Sequence, residues 1–538
     1  MMVDPRDVNS LSYPYSSRRT VVYGRRGMVA TSQPLAAQAG LEVLQQGGNA
    51  MDAAVATAAA LTVVEPTSNG LGGDAFCLVW TEGGIHGLNA SGPAPKGLTP
   101  EWIRSQGFKT MPAHGWGAVT VPGAPAAWQA MTRRFGRLSL EENLQPAIRL
   151  AEEGYPVSPT LAYFWDRAYA RYTEILTAPE YQEWFRVFAP SGRAPRPGEV
   201  FYAPDHAKTL KRLARTDGDA FYRGEIAEAI ATFARASGGT MTVEDLASFQ
   251  PEWVTPLSVS YRDYDVWELP PNGQGLVALM ALKMLDLMKA SDEEERTHQK
   301  IEAVKIAFAD AFRYLADPSS MPWPVETLLQ DGYIRERAHL IGDQAQIRTA
   351  GRPMPGGTVY LCTADDSGNM VSFIQSNYAG FGSGLVVPGT GIALQNRGHL
   401  FSLEEGHPNQ LEPGKRPYHT IIPGFVTRHG KPIGPFGVMG GYMQPQGHAQ
   451  VIANVLDRAL NPQAALDAPR FYWAVDNQVK VEAHMPEEII AGLRRRGHEV
   501  EVVPEFGPFG RGEIIWRRDD GVLMGATEPR ADGQVAVW

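Results

Sequence analysis

The sequence has few cysteines and no excess of positive charge. Its 538 residues include only Cys77 and Cys362, so at most one intrachain disulfide can form and the fold cannot depend on a disulfide framework. This usage suits a reducing compartment. Lysine and arginine total 49 against 59 aspartates and glutamates, for a net charge of −10, and no dense basic cluster is present. We therefore expect no nucleic-acid partner.

Membrane-spanning and secretory signals are also missing. No uninterrupted apolar run reaches about 18 residues, the length that a transmembrane helix needs. The first residues, Met1 to Asp7, lead into a polar stretch without the apolar segment of a signal peptide. We therefore expect a cytoplasmic protein without a membrane partner, and its 43% apolar content is sufficient for one large core.

Common signatures of cofactor and metal chemistry are absent too. The sequence has no G-x-S-x-G, G-x-x-x-x-G-K-[ST] or H-E-x-x-H pattern, and its twelve histidines show no metal-ligand spacing. It therefore predicts neither a cofactor nor a metal ion.

What the sequence does contain is a glycine pair followed by threonine at the start of a predicted strand. A polar tether without periodicity, residues 343–355, leads to Gly356-Gly357-Thr358. The strand that follows, 359–364, turns at a segment rich in Asp, Ser, Gly and Asn and returns as a second strand, 370–376. A hairpin therefore begins at this threonine.

Two further segments predict a layered interior. Residues 75–80 form a continuous apolar run, which is typical of a strand buried on both faces. Residues 53–64 are apolar on every side and predict a buried helix, which Asn49 can cap. Ser32 can cap the preceding helix, which ends at Gly47-Gly48.

The Gly-Gly-Thr segment has a specific chemical interpretation. Two glycines permit the backbone distortion that lets a hydroxyl attack the preceding carbonyl. If Thr358 Oγ1 attacks the carbonyl of Gly357 and the ester is hydrolysed, Thr358 becomes a new N-terminus that holds nucleophile and base together. An α-amino group has a pKa of about 7.7–8.0 and is partly neutral near pH 7. On composition alone, such a tripeptide is more often an ordinary turn.

Motifs along nearly the whole chain resemble those of the gamma-glutamyltranspeptidase family. They are, in order, Gly27-Met-Val-Ala30, Gly47-Gly-Asn-Ala-Met-Asp-Ala-Ala54, Asn69-Gly-Leu-Gly-Gly73, Glu152-Glu-Gly-Tyr-Pro156, the tether ending at Thr358, Phe381-Gly-Ser-Gly-Leu385, Gly437-Val-Met-Gly-Gly441 and Ala468-Pro-Arg-Phe471. The resemblance implies an N-terminal-nucleophile hydrolase, with an α/β (α+β) fold built as a four-layer αββα sandwich. It also implies a proenzyme cut into a large subunit, residues 1–357, and a small subunit, residues 358–538, which together form one intertwined domain.

The resemblance also implies catalytic roles. Thr358 is similar to the family's nucleophile, its new amine to the general base, and Ser376 lies where the family has a supporting threonine. Autoprocessing then cuts the bond between Gly357 and Thr358. Gly440 and Gly441 resemble the pair whose N–H groups form the oxyanion hole, where losing one donor costs about 2.7–4 kcal/mol in other hydrolases. A plain turn is the alternative for this glycine pair.

The positions that bind a glutamyl group in the family are changed here. Ser91 stands where the family has an arginine for the α-carboxylate, and Leu400 where it has an aspartate for the α-ammonium. Hydrogen bonds to charged groups contribute about 1.5–3 kcal/mol each, so a glutamyl substrate loses strong anchors. Arg397 offers a substitute cation for a carboxylate, with a solvated surface arginine as the alternative.

Further candidate pocket residues follow the same comparison. Tyr378 replaces an asparagine of the family, and His419-Thr420 replaces a pair of serines. We interpret His448 as structural and His419 as a pocket residue without a catalytic role, because the nucleophile carries its own amine. The predicted substrate-binding residues are Ser91, Tyr378, Arg397, His419 and Thr420.

The sequence therefore predicts an autoprocessing amidohydrolase that hydrolyses a small carboxylate-bearing acyl amide through a threonyl acyl-enzyme. It is most similar to the family branch that contains cephalosporin-acylase-like enzymes and oxamate amidohydrolase. The connection at residues 403–416 is shorter than the lid loop of the family that the chain resembles, which implies a more open acyl site and favours hydrolysis over transfer. One alternative is a γ-glutamyl hydrolase or transferase acting on glutathione-like substrates. Another is an unprocessed, non-catalytic homologue that binds small acids. The processed subunits could also associate further as a homo-oligomer.

Overall fold

The computed structural model describes residues 18–348, 357–504 and 507–538. The stretch Met1 to Asp7, the end of the predicted tether and Gly356 lie outside these residues. Within the described ranges, no helix is both long and apolar enough to cross a bilayer.

The described residues form strands and α-helices throughout the chain. The strands are β1 (Val22–Gly24), β2 (Gly27–Thr31), β3 (Asp74–Thr81), β4 (Gly84–Ala90), β5 (Tyr155–Pro156), β6 (Val200–Phe201), β7 (Glu252–Val254), β8 (Leu257–Tyr261), β9 (Tyr264–Glu268), β10 (Gly357–Asp365), β11 (Met370–Tyr378), β12 (Val386–Val387), β13 (Ile392–Ala393), β14 (Gly424–Arg428), β15 (Lys431–Met439), β16 (Phe471–Val475), β17 (Gln478–Glu482), β18 (Glu499–Val503), β19 (Arg511–Arg517), β20 (Leu523–Thr527) and β21 (Gln534–Val537). The helices are α1 (Pro34–Gln45), α2 (Ala50–Val64), α3 (Pro100–Ser105), α4 (Ala124–Phe135), α5 (Leu140–Glu153), α6 (Pro159–Ile175), α7 (Gln182–Phe188), α8 (Pro204–Arg215), α9 (Asp219–Arg223), α10 (Glu225–Ala236), α11 (Val243–Ala247), α12 (Gly275–Asp286), α13 (Glu293–Tyr314), α14 (Asp331–Ala338), α15 (Met443–Leu456), α16 (Pro462–Asp467) and α17 (Glu487–Arg495).

Two seven-stranded sheets lie face to face at the centre of the fold. The first has the strand order β21-β2-β10-β11-β3-β4-β7, and the second has the order β1-β20-β19-β15-β14-β9-β8. Helices α1, α2 and α4 pack on the outer face of the first sheet, and α12, α15 and α16 on the outer face of the second. The predicted four-layer αββα sandwich is confirmed.

Alternation along β10 shows how the layers are joined. Val359 and Leu361 belong to the core between the first sheet and its helices, whereas Tyr360 and Cys362 belong to the core between the two sheets. Successive side chains of a strand point to opposite faces, so a strand covered on both sides becomes apolar throughout. This burial explains the uninterrupted apolar runs in the sequence.

The two cysteines lie in different cores. Cys77, in β3, faces the helices, and Cys362, in β10, faces the second sheet, with β11 between the two strands. Strands lie about 4.7–4.9 Å apart, so these backbones are separated by about 10 Å, more than the roughly 7 Å that a disulfide spans. Both cysteines are therefore buried free thiols.

The start of α2 is capped as predicted, whereas the start of α1 is not. Asn49 accepts hydrogen bonds from the N–H groups of residues 51 and 52, and Asp52 completes a capping box. The residue before α1 is Gln33, which makes no side-chain cap. Ser32 instead donates to the buried carboxylate of Glu65 over 2.5 Å. The prediction that Ser32 caps α1 was wrong because this carboxylate uses its hydroxyl.

The far end of the β10–β11 hairpin is fixed by Asp365. Its carboxylate accepts from the backbone N–H of Asn369 at 3.0 Å and from that of Ala50, at the start of α2, at 2.9 Å. At the near end, Gly357 lies opposite Tyr378 in the strand pair. The predicted hairpin therefore exists and places Thr358 at the start of β10, a central strand of the first sheet.

Candidate active site

Thr358 is fully buried in the uncut chain, and its hydroxyl lies against the carbonyl that precedes it. Thr358 Oγ1 is 2.7 Å from the carbonyl oxygen of Gly357, and Ser376 Oγ donates to the same oxygen at 2.6 Å. The two hydroxyl oxygens are 3.1 Å apart. Thr358 has one hydroxyl proton, so it donates to either the carbonyl or Ser376 at any moment. Two hydroxyls thus surround one peptide carbonyl.

Strained backbone positions Ser376. The N–H of Tyr378 donates to Ser376 Oγ at 2.7 Å, and Tyr378 has a φ of +76°, which is rare for a residue with a side chain. A register shift between Gly357 and Val359 interrupts the strand pairing at the same place. Such strain is found where the surrounding structure determines a functional geometry.

The predicted glycine pair lies between β15 and the start of α15. Gly440 and Gly441 have φ values of +133° and +60°, which explains why glycine stands at both positions. Their carbonyls accept bonds from the N–H groups of Met443 and Gln444, whereas the N–H groups of both glycines have no acceptor among the described residues. Gln444 Nε2 is also 3.5 Å from Thr358 Oγ1, so the start of α15 faces the threonine.

Arg397 is fully buried, so the alternative of a solvated surface arginine is wrong. Its Nη1 donates to Thr420 Oγ1 at 2.7 Å, and its guanidinium lies 4.8 Å from the centre of the Tyr378 ring. Nε and Nη2 have no acceptor among the described residues. Burial lowers the pKa of Arg397 to about 10, against the opposing effect of Asp74, so the side chain stays charged at neutral pH.

Asp74 is the buried carboxylate that interacts electrostatically with Arg397. It accepts from Gln395 Nε2 at 2.9 Å, and its other oxygen is 2.9 Å from His419 Nε2. His419 Nδ1 accepts from the N–H of Ile421, which places the histidine proton on Nε2. Burial raises the pKa of Asp74 to about 7 and lowers that of His419, which is therefore neutral. Sequence reasoning missed Asp74, although it directly follows the Asn69–Gly73 motif.

Gln274 joins the two sides of the site and was also missed. Its amide donates to the carbonyls of Thr420 at 2.6 Å and Gly441 at 2.9 Å, and its oxygen accepts from the hydroxyl of Tyr418. A continuous set of contacts thus runs from Arg397 through Thr420 and Gln274 to the glycine pair.

Ser91, Leu400 and His448 are held in other contacts. Ser91 Oγ lies 2.7 Å from Asn89 Oδ1 and 3.2 Å from Asn272 Oδ1, so the hydroxyl donates its hydrogen bond to neighbouring side-chain amides. Leu400 ends a short 3₁₀ turn and packs against the core of the second sheet. His448 bonds to the carboxylate of Glu268 and to a backbone N–H, in keeping with a structural role.

Comparison with known proteins places the chain in a family. Residues 36–538 match the sequence model described as Gamma-glutamyltranspeptidase. The chain is 38% identical to the Glutathione hydrolase-like YwrD proenzyme of Bacillus subtilis and 36% identical to the Oxamate amidohydrolase proenzyme of Klebsiella pneumoniae, covering 95% of this chain and 98% of each relative. It is also similar to the crystal structure of cephalosporin acylase from Bacillus halodurans, with 58% identity, a TM-score of 0.96 and coverage of 100% of this chain and 99% of that one. These similarities confirm the predicted N-terminal-nucleophile hydrolase fold. The chain therefore belongs to the gamma-glutamyltranspeptidase family.

Proposed function

We propose that this chain is an autoprocessing amidohydrolase that cuts itself before Thr358 and then hydrolyses small carboxylate-bearing acyl amides. The observation that carries the proposal is the position of Thr358 Oγ1, 2.7 Å from the oxygen of the Gly357 carbonyl, with Ser376 on the same oxygen. The cut divides the chain into a large subunit that ends at residue 357 and a small subunit that begins at 358. The names of the relatives, which are proenzymes, an amidohydrolase and an acylase, support this assignment.

The geometry of these groups supports self-cleavage. Thr358 Oγ1 attacks the carbonyl carbon of Gly357, and its proton passes to the amide nitrogen as the C–N bond breaks. The product is an ester between Gly357 and Thr358 with a free amine on Thr358. Water then hydrolyses the ester and leaves a carboxylate on Gly357. Ser376 donates to the carbonyl oxygen while negative charge develops there.

Replacing Ser376 by alanine is expected to slow self-cleavage about a hundredfold, because one donor to the developing oxyanion is lost. The uncut fraction should be followed during a short pulse of cell-free synthesis, before the wild-type chain is fully cut. Ser376→Thr keeps the hydroxyl and is the matched control, which should cleave at a rate close to wild type. Cleavage of Ser376→Ala at the wild-type rate would remove Ser376 from the mechanism.

In turnover, the new amine of Thr358 acts as general base for its own hydroxyl. The hydroxyl attacks the substrate amide, the amine of the substrate leaves, and water releases the acyl group. We assign the oxyanion hole to the N–H groups of Gly440 and Gly441. Their lack of other acceptors in the described residues, and their place at the start of α15, support this role.

The charges of the pocket favour an acyl group with a carboxylate and without an ammonium. Arg397 has two buried N–H donors with no described acceptor, and a guanidinium edge matches a carboxylate. The buried carboxylate of Asp74 already receives bonds from His419, Gln395 and the N–H of Gly92, so it has little capacity left for an ammonium.

A substrate panel tests this specificity. Glutaryl, oxamyl and γ-glutamyl amides with the same leaving amine should be compared by kcat/KM, and we expect glutaryl or oxamyl amides to be hydrolysed faster. A clear preference for γ-glutamyl amides would favour the alternative of a glutathione-type hydrolase or transferase. A chain that stays uncut and inactive would favour the non-catalytic alternative.

A further inference from the structure

A second cluster of chemically capable side chains lies in the helical layer outside the second sheet, and the proposed mechanism uses none of it. His298 and Glu302 are one turn apart on α13, and His498 lies just before β18. Their exposed fractions are 1%, 0% and 3%, and their potential ligand atoms all lie within 4.8 Å of one another.

Hydrogen bonds orient these ligand atoms toward each other. His298 Nε2 is 2.8 Å from the carbonyl oxygen of Gly342, so this nitrogen carries the proton and Nδ1 keeps its lone pair. That Nδ1 is 2.8 Å from His498 Nε2. Glu302 Oε2 has no hydrogen-bond partner among the described residues, although it is fully buried. The guanidinium of Arg348 lies 3.5 Å from this oxygen without forming a hydrogen bond, so the buried oxygen keeps lone pairs that point to a missing electrophile.

We propose that His298 Nδ1, His498 Nε2 and Glu302 Oε2 bind one divalent transition-metal ion of the Zn²⁺ or Co²⁺ type. Two imidazole nitrogens and one carboxylate oxygen are ligands that these ions prefer, and a fourth position remains for water. A backbone carbonyl on the far nitrogen of a histidine, as Gly342 provides, is a common support for a metal ligand.

Metal binding requires one proton to move. In the metal-free chain His498 Nε2 donates its proton to His298 Nδ1. When the ion binds, His498 carries that proton on Nδ1 instead, and this nitrogen has no partner among the described residues. Burial lowers the pKa of both histidines, so they are already neutral and need not release a further proton.

Nearby cations set the expected affinity. Lys305 Nζ donates to Glu302 Oε1 at 2.6 Å, and Arg348 lies 3.5 Å from Oε2. Arg496 also faces the cluster but is paired with Glu294 at 3.1 Å. These cations attract the Glu302 carboxylate and also repel a metal ion. We therefore expect the affinity to increase when Lys305 loses its charge.

The cluster joins the two sides of the proposed cut. His298 and Glu302 precede Thr358 in the chain and His498 follows it. The exposed segment 342–348 covers the cluster, with the N–H of Ala345 donating to the carbonyl of Arg496 at 2.7 Å. A bound ion would therefore link α13, in the proposed large subunit, to the residue before β18, in the proposed small subunit. His298 and His498 are 200 positions apart in the sequence, which explains why sequence spacing gave no sign of a metal site.

The test is metal binding by the full-length protein. After dialysis against a chelator, the wild-type chain should be titrated with Co²⁺, and with Zn²⁺ in competition with a chromogenic chelator. We expect one ion per chain, the visible absorption of four-coordinate Co²⁺, and two imidazole ligands by X-ray absorption. His498→Gln and Glu302→Gln should bind the ion at least about a hundredfold more weakly than wild type. Loss of a residue that only supports a metal ligand typically weakens binding by about 10- to 100-fold. His484→Gln, at a histidine whose side chain is 58% exposed, is the matched control and should bind as wild type.

Lys305→Met keeps all three ligands and should bind the ion several-fold more tightly than wild type. This variant tests the site even if the ligand variants do not fold. The proposal is overturned if the wild-type chain takes up no stoichiometric ion. It is also overturned if His498→Gln binds as tightly as wild type, or if X-ray absorption shows no imidazole.

Discussion

Thr358→Ala is expected to yield a single uncut chain with no measurable amide hydrolysis. The substitution removes the hydroxyl that lies 2.7 Å from the Gly357 carbonyl oxygen, and without cleavage the amine that serves as general base is never formed. Nucleophile and base are thus lost together. Intact mass spectrometry of freshly purified protein checks the first effect, and turnover of the best amide in the substrate panel checks the second.

Thr358→Ser is the matched control for this experiment. It keeps a hydroxyl at the same position, so we expect cleavage into two fragments between residues 357 and 358. Cleavage should be slower than in wild type, because serine lacks the methyl group that restricts the side-chain rotamer of threonine. Cleavage of Thr358→Ala at the same bond would contradict the proposed nucleophile. A wild-type chain that hydrolyses amides while uncut would contradict the proposed maturation.

Arg397→Gln is expected to lower kcat/KM for carboxylate-bearing acyl amides by about two to four powers of ten. Two hydrogen bonds to a charged group contribute about 1.5–3 kcal/mol each, and each 1.4 kcal/mol is a factor of ten. An amide with an uncharged acyl group of the same length should lose far less. Arg397→Lys, which keeps the charge but not the planar fork, should lie between wild type and Arg397→Gln.

The buried partner of Arg397 requires a double variant. Arg397→Gln alone removes the cation that stabilises the buried carboxylate of Asp74 most, and this destabilises the fold. Asp74→Asn combined with Arg397→Gln removes both charges and should fold better while keeping the same loss of selectivity. Equal losses for charged and uncharged acyl groups in the double variant would show that Arg397 acts through the fold and not through substrate.

The same pair predicts a pH dependence of KM. Burial raises the pKa of Asp74 to about 7, so the carboxylate gains a proton as the pH falls through that value. The charge of Arg397 is then less compensated, and KM for a carboxylate-bearing amide should decrease toward low pH. Asp74→Asn should keep KM low and independent of pH over this range. At low pH kcat should fall as well, because the Thr358 amine becomes protonated. A decrease in KM together with a decrease in kcat therefore separates the effect of Asp74 from that of the amine.

Local patterns in the sequence were sufficient to predict the hairpin that begins at Thr358 and the cap at Asn49. Both depend on residues close together in the chain: an apolar run with a turn after it, and a side chain that binds the next N–H groups. The glycine pair at 440–441 was found through resemblance, and its positive φ values explain why only glycine fits there. Strands that are apolar on both faces predicted a layered interior, because such strands need a cover on each side, whereas the four-layer αββα arrangement was predicted through resemblance.

Contacts between distant residues could not be predicted in the same way. Asp74 and His419 are 345 residues apart, and neither position shows a local sign that the two side chains bond. The hydroxyl of Ser91 lies within hydrogen-bond distance of two asparagine side chains, one of them 181 residues away in the sequence. Comparison of short motifs does not reveal such a contact. Arg397 likewise contacts Tyr378, in β11, and Thr420, which is 23 residues further along the chain.

The order of strands in the first sheet has a consequence for how the mature enzyme comes into being. β10 and β11, from the part after the proposed cut, lie between β2 and β3, from the part before it, and β21 returns to pair with β2. Two subunits interleaved in this way fold together as one chain before the proposed cut. We therefore expect their assembly to be unimolecular and independent of protein concentration. If the chain is cut as proposed, we expect each active molecule to derive from a single precursor, to stay associated on dilution and not to exchange subunits with other molecules. In the proposed mechanism the reactive amine forms only after folding has placed Thr358 Oγ1 against the Gly357 carbonyl, so we expect activity to appear only in correctly folded chains.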